Sequence, residues 1–85
     1  MNKTTAIEFL DALAWFESPF GKMDLLLNEL EGTEREDYKE VLGKIALGHF
    51  DLIMPIIKQY PELDPDGEGK QMYLAMKEKY GRKET

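Results

Sequence analysis

Leu52-Ile53-Met54-Pro55-Ile56-Ile57 sets five strongly apolar residues around one proline. The run is apolar on every side of whatever element it forms. It must be covered by the rest of the chain or by another molecule. Its surroundings are those of a helical protein. Leu, Met and Ala total 21 residues, whereas Ile and Val total 6. Unbranched and γ-branched side chains keep their rotamers in a helix, and β-branched ones favour strands. The expected fold is all-α, a compact bundle of four or five short helices. Residues 1–85 are read as a single helical domain, because a chain of 85 residues builds one modest core.

Immediately before the apolar run, Asp51 can cap a helix that continues to about Tyr60. Pro55 then falls near the end of the first turn, where proline costs least. Upstream, Thr33-Glu34-Arg35-Glu36 matches a capping box and starts a helix carrying Tyr38, Val41, Leu42 and Ile45, with Gly48 at its end or at a bend. The alternative is one helix from Glu34 to Tyr60, kinked at Pro55. Gly48, Asp51 and Pro55 agree on a boundary, which favours two pieces.

Further out, Thr5-Ala6-Ile7-Glu8 also matches a capping box and predicts a helix to about Glu17, with Ile7, Leu10, Leu13 and Phe16 near one face and Phe9 widening it. Ser18-Pro19 reads as a stop and a restart, Ser18 capping and Pro19 taking the first helical position. The next helix reaches Glu31, and Gly32 ends it. On the other side, Tyr60 to Gly69 reads as the main loop. The last helix is expected from about Glu68 to Tyr80, with Met72, Tyr73, Met76 and Tyr80 on one face, and Arg82 to Thr85 fraying.

The net charge is −6, and it is unevenly placed: residues 1–42 sum to −6 and residues 43–85 to zero. An acidic half argues against sequence-independent nucleic-acid binding, which runs on phosphate neutralisation by Lys and Arg. The bases Lys77, Lys79, Arg82 and Lys83 are expected to complement the negative end of the last helix. With no cysteine, neither disulfides nor Cys-based zinc sites can form. The apolar stretch from Ala6 to Phe16 is cut by Glu8 and Asp11 and does not read as a secretory signal, and no uncharged apolar run approaches the ~20 residues a membrane span needs. A soluble cytoplasmic protein is the expectation.

Chemistry is sparsely signalled. Asp64-Pro65-Asp66-Gly67-Glu68-Gly69 resembles the opening of an EF-hand calcium loop, with oxygen ligands at Asp64, Asp66 and Glu68 and Gly69 at the sharp turn. The position of the closing bidentate glutamate is Ala75, and the same residues also make a Pro-Asp-Gly turn with acids at a helix start. His49, the only histidine, could pair with Asp51 as metal ligands or as a base and its orienting carboxylate. The only serine, Ser18, reads as a cap, and no phosphate-binding glycine motif is present. Over Asp51-Leu52-Ile53 and Pro55 the chain loosely resembles the short third helix of the small immunity proteins that neutralise nuclease bacteriocins. The paired tyrosines of that family are absent, and nothing is carried over from it.

The expectation is a non-enzymatic protein-interaction module, an inhibitor or adaptor. Its acidic N-terminal half, through Asp24, Glu34, Glu36, Asp37 and Glu40, faces a partner with a basic surface, and Trp15 is the aromatic expected at the rim. The apolar residues from Phe50 to Tyr60 either complete the core or form a contact between two copies. No cofactor is expected. A calcium-binding loop at 64–69 is the alternative.

Overall fold

The computed structural model describes residues 1–81. Three helices make up the described chain: α1 (Lys3–Leu26), α2 (Gly32–Gln59) and α3 (Lys70–Gly81). Single 3-10 turns at Leu27–Glu29 and Pro61–Leu63 connect them. The fold is all-α, as the composition predicts, but it has three helices rather than four or five. Boundaries were expected at Ser18-Pro19 and at Gly48–Asp51 ahead of Pro55, and α1 and α2 run through them.

Pro19 lies inside α1. It cannot donate to the carbonyl one turn back, which ordinarily costs ~3 kcal/mol in a helix interior. Continuity across it keeps Phe16 and Phe20 one turn apart, and their rings meet at 5.9 Å. Pro55 lies inside the 28-residue α2, not in a short helix of its own. It is exposed, while Ile53 and Ile56 on either side of it are buried. A break there would turn one of these isoleucines away from the core. Gly48 and Asp51, expected at a boundary, are also interior to α2.

The caps differ as well. Asn2, not Thr5, caps α1: its Oδ1 accepts the Thr5 N–H at 2.8 Å. Asparagine caps as well as Thr and sits three residues earlier, so the helix gains almost a turn. At the start of α2 the cap is Glu31, with no side-chain hydrogen bond, so Thr33 does not cap. Gly32 marks the junction between the first two helices with φ +58, the only positive φ among the described residues. A side chain there would strain the backbone.

The core is formed by Ala6, Leu10, Leu13 and Ala14 of α1, Ile53 and Ile56 of α2, Leu63 of the second turn and Tyr73 of α3. Ile7, Ile57, Tyr60, Met72 and Met76 close around it. Half of the apolar run therefore completes the core, while Leu52 remains exposed. α1 packs most extensively on α3, and the C-terminal end of α2 packs on the Pro61–Leu63 turn and α1. Phe9 and three members of the expected 38–45 stripe, Tyr38, Val41 and Ile45, are exposed, and only Leu42 of that stripe is buried.

The molecule is long. Its extents are 44 × 28 × 19 Å, and α2 alone, at about 1.5 Å per residue, spans most of the greatest of these. The radius of gyration is 14.7 Å, where a compact chain of this length would have ~12 Å. The first half of α2 is an arm that leaves the core.

Lys77 and Lys79 do not serve only the end of their own helix. Lys77 pairs with Glu17 at 3.2 Å and Lys79 with Asp11 at 2.9 Å, both across to α1. Arg82 and Lys83, and the expected fraying from Arg82 to Thr85, lie outside the described residues.

Candidate functional site

The sequence supplies aromatic and aliphatic residues one turn apart on the facing sides of α1 and α2. They line a groove of about 630 Å³. α1 contributes Phe16, Glu17 and Phe20; α2 contributes Ala46, His49, Phe50, Ile53, Met54 and Ile57. α3 closes one wall with Tyr73, Leu74 and Lys77, and Asp64, Pro65, Asp66 and Lys70 form the mouth.

His49, Glu17, Tyr73 and Lys77 in this groove are each engaged with a neighbouring group. The His49 ring lies against Phe16 with centroids 6.1 Å apart and planes 26° from parallel. His49 Nε2 is 3.1 Å from the Leu13 carbonyl, so that nitrogen carries the proton and donates. Asp51 is exposed and lies more than half a helical turn round from His49, so the two do not form a pair. The Tyr73 hydroxyl donates to Glu17, whose other oxygen takes the Lys77 ammonium. Burial pushes the Tyr73 phenol well above its ordinary value, and the Glu17 carboxylate adds to the shift. Tyr73 is therefore a fixed donor across the neutral range.

A second α1–α3 clasp lies outside the groove. Asp11 accepts from the Tyr80 hydroxyl and from Lys79. The hydrogen bond from Tyr80, then that from Lys79, hold the Asp11 carboxyl below its ordinary value. At the other end of the core, Lys3 pairs with Glu62 at 3.1 Å, and the Tyr60 hydroxyl donates to the Met1 carbonyl at 2.8 Å.

The residues expected to meet a basic partner are all exposed, but they do not form one cluster. Asp24 stands near the end of α1, apart from the acids of α2. Glu36 and Glu40 lie one turn apart on α2, Glu40 near Lys44 at 3.8 Å. Asp37 and Glu34 fall further round the same helix. Trp15 is 52% exposed and touches the Phe16 ring at 6.4 Å, outside the groove.

The loop resembling a calcium site is closed on itself. Asp64 Oδ1 accepts the Asp66 N–H, and the Asp64 carbonyl accepts from Gly67 and Gly69. Asp66 and Glu68 are exposed. Gly69 is needed for close packing: a Cβ there would fall 2.4 Å from the Leu63 carbonyl group. Among the described residues no group of three or more His, Asp or Glu side chains is arranged to hold a metal ion.

Glu17, Tyr73 and Lys77, and the Asp11 clasp, were not marked by any local motif. Their partners are more than fifty residues away, and the only hint was an acid on α1 for each base on α3. Among the described residues no helix is long and apolar enough to cross a membrane. No family model, curated protein or solved structure matches the chain.

Proposed function

We propose that this chain is a non-enzymatic protein-interaction module of the cytoplasm, an inhibitor or adaptor that presents the acidic arm of α2 to a partner with a basic surface. The observation that carries the reading is the arm itself. Between Glu31 and Phe50 only Leu42 is buried, so Glu34, Glu36, Asp37 and Glu40 stand in solvent on a rigid helix. These four acids share the arm with Arg35, Lys39 and Lys44, which leaves a small negative excess, and an excess of this kind steers encounter and selects partners more than it adds affinity. The engagement of His49, Glu17 and Tyr73 with neighbouring groups supports a structural role for the groove rather than a reactive one.

The test is a pull-down from native-host lysate at low and high salt, using the wild type and the triple variant Glu34→Lys, Glu36→Lys, Asp37→Lys. A stoichiometric protein retained by the wild type at low salt and lost at high salt is expected. Charge reversal should weaken its binding at least tenfold, on the order of the electrostatic contributions to association. Equal retention by both chains, or no retained protein at all, refutes the reading.

A further inference from the structure

The arm of α2 carries a second apolar stripe. Tyr38, Val41, Ile45, Gly48 and Leu52 follow one another in steps of three and four, the spacing of a seam between two helices. The stripe lies beside the inner one that includes Leu42, Ile53 and Ile56, and no part of the described chain covers it. Tyr38 is 57%, Val41 54%, Leu52 52% and Ile45 36% exposed. No position on the stripe bears a charge.

The surface area says how much covering is missing. The chain exposes 6162 Å². A compact monomer of its 9.8 kDa mass would expose only ~5,200 Å². The excess, ~1,000 Å², is close to the ~800 Å² that each partner contributes to a standard stable interface. The α2 stripe is one part of this exposed surface, with Leu25, Leu47 and Phe50 among the other apolar side chains in solvent.

The pattern is compatible with a second copy as the covering molecule. A two-fold contact needs a patch that complements itself. The stripe reads nearly the same in both directions about Ile45: Tyr38 lies seven residues before it and Leu52 seven after, Val41 four before and Gly48 three after. In an antiparallel pair Tyr38 meets Leu52, Val41 fills the space over Gly48, and Ile45 meets its own copy. Apart from the adjacent backbone of α2 itself, no atom lies within 4 Å of a Cβ built on Gly48, so that space is open.

We propose that two copies of this chain pair antiparallel through the α2 stripe Tyr38, Val41, Ile45, Gly48 and Leu52. The pairing goes beyond the acidic-partner reading and does not depend on it. The two respond oppositely to salt. Each copy carries −6, so screening relieves repulsion and tightens the dimer, while it weakens capture of a basic partner.

Sedimentation equilibrium of the full chain from low to high micromolar concentration tests the pairing. The wild type is expected to approach twice 9.8 kDa, more readily at high salt. Val41→Glu and Ile45→Glu should each raise the dimer dissociation constant at least tenfold, because a charge enters an apolar contact. Circular dichroism should show unchanged helicity in both. Leu47→Glu, an exposed apolar site on the same helix but off the stripe and outside the groove, should leave the dimer intact. The chain has no cysteine, so single cysteines report the geometry directly. Ile45→Cys should oxidise to a disulfide-linked dimer. Tyr38→Cys should link to Leu52→Cys and not to itself, since a disulfide requires Cα atoms within about 7 Å. A wild type that stays monomeric, a dimer that survives both glutamate variants, or Tyr38→Cys linking to itself overturns the proposal. Failure here with retained salt-sensitive partner capture would leave the acidic module standing; the converse result would remove that module and keep the dimer.

Discussion

The two halves of α2 are built from similar residues and meet opposite fates. Ile53 and Ile56, near its C-terminal end, lie in the core between α1, α3 and the Pro61–Leu63 turn. Val41 and Ile45, three turns earlier on the same helix, face solvent. Helical periodicity says which residues share a face. Whether that face is covered depends on how far α1 and α3 extend, and α3, with only 12 residues, does not reach the arm. An apolar stripe is thus a statement about the need for a neighbour and not about where the neighbour comes from.

The contrast can be broken most forcefully by one substitution made twice. Ile56, 1% exposed, should cost about 2–5 kcal/mol when changed to alanine, because the cavity cannot collapse. Ile45→Ala should cost no more than about 1 kcal/mol in the monomer. Urea unfolding of both variants at low protein concentration reads the difference, and equal losses would erase the distinction between core and arm.

Glycines give the same comparison with opposite signs. Gly69→Ala drives a Cβ against the Leu63 backbone and should destabilise by about 1–3 kcal/mol. Gly43→Ala, in the arm with open space around it, should stabilise by about 0.4–1 kcal/mol through a less flexible unfolded chain. Thermal unfolding should move down for the first and up for the second.

The smallest effect is expected at the Asp11 clasp. Tyr80 and Lys79 lower the Asp11 carboxyl in the folded state. The unfolded chain therefore binds the proton first as the pH drops. The clasp contributes fully above the ordinary value of 3.8 and is lost as the pH falls through the lower folded value. Asp11→Asn should lower stability slightly at neutral pH and flatten the acid limb below about pH 4, so that the two chains converge as Asp11 is protonated; the loss is small because the pair is largely exposed.

What the sequence made legible was local. Composition gave the all-α class, the Leu10–Leu13 spacing marked the buried face of α1, and Gly32 marked a junction, though it opens α2 rather than ending a helix that reaches Glu31. The loop before α3 was also readable, from Pro61, Pro65 and the glycines that follow. The two prolines misled because their cost is local and their compensation is not. Burial of Ile53 and Ile56 on one side of α2 outweighs the hydrogen bond that Pro55 removes. Asn2 caps α1 through a single hydrogen bond with no reciprocal capping-box partner, so its signal in the sequence is weaker than that of Thr5-Glu8. The groove was unreadable for another reason: Glu17 meets Tyr73 only after the first and last helices pack, and no spacing along the chain encodes that meeting. The acids of the arm were visible by count, but their spread around the helix emerges only from its continuity.

The pairing of α1 with α3 also fixes the order in which this protein can fold as it is made. Leu10 and Ile56 share one core cluster with Leu63 and Tyr73, so that cluster is complete only once α3 has been made. Translation proceeds at roughly 5–20 residues per second, so a finished α1 waits several seconds on the ribosome with its core face uncovered. During that interval α2 can bring Ile53 and Ile56 to the same face, and α3 completes the cover last.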